Sequence, residues 1–174
     1  MKKLLLVSVI GTLLTGCLSG TGWKPIEHTM INKFNEQQAK NQLKEGSSRI
    51  EGNAFLRQNG GGVVTCAGQE VTLIPFTEYA NEKLKVSYLS EDKGYQDWVY
   101  GNYKFNNEDP NYVKYMKTAV CDSQGKFTFD KLSAGTYFVV TAVKWQVGYY
   151  LQGGSLMQKV TLAKGDTKNI VMSY

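Results

Sequence analysis

The chain has a single histidine, His28, and histidine is the side chain that most readily exchanges protons near neutral pH. It follows Gly20, Gly22 and Pro25, a composition that predicts a flexible leash over residues 18–28. A general base must be held within hydrogen-bond reach of its substrate, and a Ser/His/Asp or Cys/His arrangement built on a leash lacks that support. We therefore expect no catalytic residues and no enzymatic activity.

Acidic pairs occur at Glu91/Asp92 and Glu108/Asp109, within a polar and aromatic stretch. Neighbouring acids in such a stretch are more often solvated charges than an acid and base that act together. Calcium binding by Asp92, Asp97, Glu108 and Asp109 is a second interpretation, but their spacing matches no loop with a defined order of ligands. The cysteines and His28 also lack the spacing of a zinc site, so we expect no metal and no cofactor.

The charge distribution argues against a nucleic-acid partner. The formal net charge is +5, and the basic residues are scattered among acids instead of forming one block. Such a mild excess is compatible with weak attraction to anionic lipid headgroups.

Residues 1–16 have the pattern of a bacterial export signal. Lys2 and Lys3 precede an apolar run that ends at Leu14, and this run is shorter than the roughly 20 residues that span a bilayer. Small residues then lead to a cysteine in the sequence Leu14-Thr15-Gly16-Cys17. This stretch resembles the lipobox of bacterial lipoproteins.

The lipobox resemblance implies removal of a signal peptide of residues 1–16 and acylation of Cys17. The acyl chains, palmitate among them, would tether the mature chain to a membrane. Lipoproteins that stay in the inner membrane often carry aspartate after the cysteine, whereas this chain has Leu18. The resemblance therefore implies a lipid-anchored protein of the cell envelope, in the outer membrane. An ordinary export signal with a chance cysteine is the alternative.

Two further cysteines, Cys66 and Cys121, form an even pair in an exported chain. Exported proteins reach oxidising compartments, where such pairs are commonly bridged. We predict a disulfide between them. Two separate buried thiols are the alternative.

The sequence of residues 29–45 predicts a short helix that follows the leash. Residues 17–47 are therefore expected to form a lipidated leash and a short helix. Thr29 is a suitable N-cap, Gly46 is a suitable stop, and the apolar patch has near-helical spacing. The helix is otherwise polar and is expected to act as a spacer between membrane and domain. Docking of a partner through the patch is the alternative; the patch comprises Met30, Ile31 and Phe34.

From Ser48 onward the sequence predicts a mainly β domain over residues 48–174. Seven or so short strands separated by glycine-rich turns are typical of a β-sandwich. A short helix is expected from Thr77, as N-cap, to Leu84. It belongs to a long insertion, about residues 77–113, that is rich in aromatic side chains and expected to be irregular or briefly helical.

The stretch from Asp122 to Tyr137 carries a family pattern: an acidic turn ending in Gly125, alternating aromatics, then Leu-x-Ala-Gly-x-Tyr before a long strand. It resembles the signature of carboxypeptidase-regulatory-like domains, which are transthyretin-like (prealbumin-like) β-sandwiches. Residues 50–54 and 68–73 resemble the first two strands of that family, whereas the insertion departs from it. The resemblance implies a non-catalytic structural or adhesive module with an immunoglobulin-like sandwich architecture.

The aromatic residues of the insertion are the best candidates for a partner surface. Tyrosine and tryptophan bury a large area at low entropic cost and still form hydrogen bonds, so they dominate contacts with proteins and sugars. An equally good interpretation is that these rings close one end of the sandwich. The candidate surface comprises Trp98, Tyr100 and Tyr103, joined by Tyr149 and Tyr150.

These observations leave a main hypothesis and an alternative. The main hypothesis is an envelope lipoprotein that acts as a non-catalytic binding or structural module and contacts another envelope protein or a multi-protein assembly. The alternative is carbohydrate or peptidoglycan binding through the aromatic insertion.

Overall fold

The computed structural model describes residues 24–98 and 103–174, so the predicted export signal, Cys17 and Tyr100 lie outside the described residues. The described part is mainly β. Its elements are β1 (Ile26–Thr29), α1 (Glu36–Gln42), β2 (Glu45–Arg57), β3 (Val63–Thr65), β4 (Glu70–Pro75), α2 (Glu78–Tyr88), β5 (Lys93–Asp97), β6 (Tyr103–Asn106), a 3₁₀ turn (Tyr112–Tyr115), β7 (Lys117–Val120), β8 (Lys126–Leu132), β9 (Gly135–Val147), β10 (Tyr150–Leu162) and β11 (Thr167–Met172).

Two sheets face each other across an apolar core, as expected for a β-sandwich. One sheet has the strand order β5-β10-β9-β4-β7 and is antiparallel throughout. The other is built around β2, which pairs with β11 in parallel and with β3 and β8 in antiparallel fashion. The core between them includes Ile50 and Phe129 from the second sheet and Leu73, Val139 and Leu156 from the first.

The turn before β8 and the strand itself follow the local pattern of the sequence. Oδ1 of Asp122 accepts hydrogen bonds from the backbone N–H groups of Gln124 and Lys126, at 2.8 and 2.9 Å. Gly125 takes a φ of +78°, which a residue without a side chain adopts without strain. Phe127 and Phe129 alternate along the strand and are both buried.

Helix α2 covers the outer face of the five-stranded sheet. The side chain of Thr77 caps the helix by accepting a hydrogen bond from the N–H of Ala80, as predicted, but the helix continues to Tyr88. Its buried residues form a second apolar cluster with the outward-facing side chains of the sheet, among them Phe138 and Met157. This sheet is therefore apolar on both faces, and the helix covers the outer one.

The predicted helix over residues 29–45 is wrong in most of its length. Thr29 ends strand β1, which pairs in parallel with β6, and the helix covers only Glu36–Gln42. Asn35 is its N-cap, since its Oδ1 accepts a hydrogen bond from the N–H of Gln38 at 2.9 Å. Gly46 lies within β2.

The apolar spacing that predicted this helix reflects burial in the second cluster. Met30 is buried there, and the ring of Phe34 lies against the rings of Tyr79, Tyr112 and Tyr115 at 5.6–5.7 Å between centroids. The segment thus packs against the body of the molecule, whereas Ile31 is exposed. Met30 and Phe34 therefore pack within the chain and do not form an exposed patch with Ile31.

The insertion is more regular than expected. Strand β5 forms the edge of the five-stranded sheet, with Asp97 opposite Gly154, and β6 pairs with β1. The last hairpin is long, because β9 extends to Val147 and β10 begins at Tyr150, so that Gly153 and Gly154 lie within a strand.

The predicted disulfide between Cys66 and Cys121 is confirmed. Cys66 follows β3 of one sheet and Cys121 follows β7 of the other, so the bridge ties the two sheets together.

Neither α1 nor α2 within residues 24–98 and 103–174 has the length and hydropathy needed to cross a bilayer.

Candidate functional site

A cleft of about 380 Å³ opens at one end of the molecule, where the long β9–β10 hairpin passes the end of strand β2. The residues that line it come from four separate parts of the chain. They are Arg57, Asn59, Tyr95, Asp97, Trp145, Gln152 and Gly153.

The floor of this cleft is a continuation of the inner face of the five-stranded sheet. Val143 is buried in the core, and Trp145 lies two residues further along β9, on the same face because side chains alternate along a strand. Gln152 of β10 is its register partner. Trp145 packs partly against the core and presents the rest of its ring to the cleft.

A hydrogen bond holds the ring of Trp145 in place. Its Nε1–H donates to Oε1 of Gln152 at 3.0 Å. The amide of Gln152 also has two N–H donors that can face a ligand. The pair thus combines a fixed apolar ring with a polar group at its edge.

Tyr95 supplies a second ring at the cleft. Its ring stacks on that of Tyr174, with centroids 4.6 Å apart and planes 20° from parallel. Its hydroxyl donates a hydrogen bond to Oδ2 of Asp97 at 3.3 Å. Burial and the neighbouring Asp97 carboxylate raise the pKa of Tyr95 to about 12, so the hydroxyl keeps its proton at neutral pH.

Tyr95 and Asp97 also line a neighbouring cleft of about 300 Å³, on the other side of strand β5. Tyr103 lies in this second cleft, together with Tyr88 and Tyr174. The end of β5 is therefore bordered by aromatic side chains on both of its sides.

The two arginines of the chain differ in their surroundings. Arg49 bonds to the carboxylates of Asp130 and Glu51. Arg57, at the rim of the cleft, forms no ion pair with any residue of the described part of the chain. Its guanidinium carries donors in a planar fork that suits an oxygen-rich ligand.

The structure separates the five residues of the predicted partner surface. Trp98 follows β5 and is partly exposed, and its backbone N–H bonds to the carbonyl of Gly153 at 3.3 Å. Tyr103 lines the second cleft, whereas Tyr149 and Tyr150 stand exposed at the turn of the β9–β10 hairpin and line neither cleft. Tyr100 lies outside the described residues.

Trp145, Gln152, Tyr95 and Arg57 were not among the candidate residues predicted from the sequence. One signal was present for Trp145, because it continues the inward alternation of Val139 and Val143 in β9. No local signal could bring it together with Arg57, which is far away in the sequence and belongs to the opposite sheet.

The acidic pairs of the insertion are engaged in surface contacts. Glu91 pairs with Lys85, Asp92 pairs with Lys159 at 3.4 Å, and Glu108 pairs with Lys83 at 3.0 Å. Oδ1 of Asp109 accepts the N–H of Asn111 at 2.8 Å. No group of three or more His, Cys, Asp or Glu residues in the described ranges is arranged to hold a metal ion.

His28 is held by the domain and is not part of a flexible leash, which corrects the sequence-based expectation. It lies in β1, and its Nε2 is 2.8 Å from Oε1 of Glu82 on α2. Its ring also meets the ring of Phe105 edge-on, with centroids 5.9 Å apart. Neither cleft at the end of β5 includes it.

The arrangement suits a ligand with flat apolar faces and many hydroxyl groups. Trp145 and Tyr95 offer ring surfaces for contact, and Arg57, Asn59, Asp97 and Gln152 offer donors and acceptors around them.

Comparison with known proteins finds a likeness in structure but none in sequence. No family model matches the chain, and no curated protein matches it in sequence. A crystal structure of a protein from Pseudomonas aeruginosa, described as a proposed carbohydrate-binding protein, is similar with a TM-score of 0.68 and 21% sequence identity. The likeness covers 82% of this chain and 99% of that one, and at this identity it concerns the fold alone.

Proposed function

We propose that this chain is a carbohydrate-binding protein of the cell envelope, anchored through Cys17, and that the cleft around Trp145 holds the sugar. The observation that carries this proposal is the indole ring fixed by Gln152 among polar side chains. Sugars present apolar C–H faces and a rim of hydroxyls, and this arrangement offers a partner to each.

The structural neighbour supports the same choice between the two hypotheses. It is described as a proposed carbohydrate-binding protein, and it has a similar fold over 82% of this chain. This favours a sugar over the envelope-protein partner expected first from the sequence. Peptidoglycan and other envelope glycans are the sugars that an envelope-anchored protein would meet.

The proposed anchor rests on the Leu14-Thr15-Gly16-Cys17 stretch. An acylated Cys17 would place the domain at a membrane, and Leu18 favours the outer membrane. Mass spectrometry of the protein from its native membranes is the direct test, since acylation adds a defined mass to the N-terminal peptide.

We also propose that the domain is a transthyretin-like sandwich of the carboxypeptidase-regulatory-like type. The burial of the residues of the family pattern supports this proposal. Phe127, Phe129, Leu132 and Tyr137 are all buried between the sheets, and Gly125 occupies the turn with positive φ.

The proposed role is binding without catalysis. Among the described residues that line the cleft, Asp97 is the single carboxylate and none is a histidine. Glycoside hydrolysis generally requires two carboxyl groups on opposite sides of the bond. A sugar bound here would therefore be held and released unchanged.

Glycan-array binding and sedimentation with purified peptidoglycan test this proposal on the purified mature chain. Loss of a central aromatic contact commonly costs about 2 kcal/mol, so Trp145→Ala should weaken binding about 30-fold. Gln152→Ala should weaken it about fivefold, since it removes one hydrogen bond of roughly 1 kcal/mol and frees the ring. Tyr149→Ala is the matched control, because Tyr149 is an exposed aromatic that does not line the cleft.

Thermal unfolding of each variant separates a binding defect from a folding defect, because Trp145 also packs against the core. Trp145→Phe keeps most of that packing but removes the indole N–H, and should bind with intermediate strength. Absence of binding to any glycan by the wild-type chain would exclude the proposed function. Binding that is unchanged in both Trp145→Ala and Gln152→Ala would exclude this cleft.

A further inference from the structure

The turn of the β9–β10 hairpin exposes five consecutive residues that are almost entirely apolar or aromatic. We call Val147–Leu151 the hairpin tip. Tyr149 is 98% exposed and Tyr150 is 77% exposed, while Val147 and Leu151 are each about half exposed. Gly148 lies between them with a φ of +59°, at the turn itself. Contiguous exposed apolar surface of this kind usually marks a contact with a partner or a membrane.

The composition of the hairpin favours an anionic lipid surface. Tyrosine is enriched at the headgroup level of membranes, where its ring is buried and its hydroxyl remains hydrated. The chain has no acidic residue between Asp130 and Asp166, and so none in β9 or β10. The hairpin does contain Lys144, an exposed residue three positions before the tip, whose charge is attracted to anionic headgroups.

The topology brings the start of the described chain to the same end of the molecule. Ile26 of β1 is the register partner of Tyr103 in β6, and Tyr103 shares a cleft with Asp97 at the end of β5. Asp97 in turn lies opposite Gly154 of β10, only a few residues from the hairpin tip.

The distance to the proposed anchor is short. Cys17 and Lys24 are seven positions apart, so the connecting chain spans at most about 25 Å. A lipid on Cys17 would therefore hold this end of the domain close to the bilayer. The opposite end, with the turn at residues 163–166 after β10, would be further away.

We propose that the hairpin tip inserts into the headgroup region of the membrane to which Cys17 is anchored. This proposal rests on the anchoring proposed above and adds a second contact that orients the domain. Each side chain of the tip contributes little alone, but the tether raises the local concentration of the lipid surface. The cleft begins one residue after the tip, at Gln152, so a sugar bound there would lie near the membrane surface.

The experiment uses the mature chain from Cys17 with its disulfide intact. Cys17 is then the single free thiol, because Cys66 and Cys121 are bridged. Coupling this thiol to a maleimide lipid in vesicles of phosphatidylethanolamine and phosphatidylglycerol reproduces the tether without cellular acylation. Hydrogen–deuterium exchange is compared with that of the same chain coupled to a soluble maleimide.

We expect slower deuterium uptake on vesicles for peptides covering residues 146–152, and unchanged uptake for peptides covering residues 163–166. The double variant Tyr149→Ser/Tyr150→Ser should lose this protection. Val120→Ser is the matched control, because Val120 is also exposed but lies on β7, outside the hairpin. It should retain the protection.

Equal uptake at the tip on vesicles and in solution would overturn the proposal and would leave the hairpin tip as a site for a protein partner. Protection that persists in the double variant, or that is equal at residues 163–166, would also overturn it. The chemical tether keeps this test separate from the proposed anchor: an unacylated Cys17 in cells would refute the anchor but would not change the result on vesicles. Failure of glycan binding is likewise detected separately, in the assays of the cleft.

Discussion

Gly52 of β2 and Phe127 of β8 are register partners, and the phenyl ring lies directly over the glycine. A β-carbon at residue 52 would come within 2.0 Å of Cζ of Phe127, much less than any van der Waals contact. Phe127 is buried and meets Phe129 edge-on, so its ring has little room to move. A side chain at residue 52 would therefore disturb the core itself.

We expect Gly52→Ala to lower the free energy of unfolding by about 1–3 kcal/mol, the usual cost of overpacking a core. Urea unfolding measures this change. Gly60→Ala is the control, since a β-carbon there would meet no atom within 4 Å, and it should have a much smaller effect. In the double variant Gly52→Ala/Phe127→Leu, the smaller leucine side chain leaves room for the new methyl group. This variant should recover part of the free energy of unfolding that Gly52→Ala loses. Equal effects of the two single variants would contradict the steric explanation.

Glu82 of α2 fastens the N-terminal segment to the domain. Its side chain is 10% exposed, and its carboxylate accepts hydrogen bonds from the N–H groups of Ile31 and Asn32, from the side chain of Asn32 and from His28. Burial alone would raise the pKa of Glu82, but these hydrogen bonds outweigh it and bring the pKa down to about 2.

A depressed pKa predicts a loss of stability in acid. The contribution of Glu82 is complete above its ordinary pKa of 4.5 and is lost as the pH falls toward 2. We expect the free energy of unfolding of the wild type to exceed that of Glu82→Gln by on the order of 2 kcal/mol at pH 6. At pH 2 the two free energies should differ little. Urea unfolding at several pH values tests this. Glu51→Gln, which alters an exposed ion pair, should differ little from wild type at either pH. A difference between wild type and Glu82→Gln that is independent of pH would contradict the prediction.

The disulfide joins two buried cysteines that are 55 residues apart in the sequence. In the chain-entropy model, a loop of this length contributes about 4 kcal/mol by restricting the unfolded chain. The double variant Cys66→Ala/Cys121→Ala should lower the free energy of unfolding by an amount of this order, as measured with urea. Since both sulfur atoms are buried, dithiothreitol should reduce the bridge of the wild type readily only when urea is added. Rapid reduction without urea would contradict this expectation and would show that the structure around the bridge opens easily.

Several features could be predicted because their signals lie within a few residues. The Asp122 turn, the alternation of Phe127 and Phe129 and the Thr77 cap each depend on neighbours in sequence, and all three have their expected structure. The disulfide could be predicted from the cysteine count and the expected export of the chain alone. The structure of residues 29–45 could not be predicted in this way, because Met30 and Phe34 are spaced to meet Tyr79 and Tyr112, which are more than 40 residues away.

The sequence by itself determined a mainly β chain with a bridged cysteine pair, a capped helix from Thr77 and a lipobox-like N-terminus. The tertiary structure alone decided the clefts, the position of His28 and the separation of the five aromatic candidates. The physical reason is that alternation and capping are encoded locally, whereas strand pairing is selected by burial over the whole chain. Arg57 and Trp145 line one cleft because their strands lie in facing sheets, a relationship that no short stretch of sequence contains.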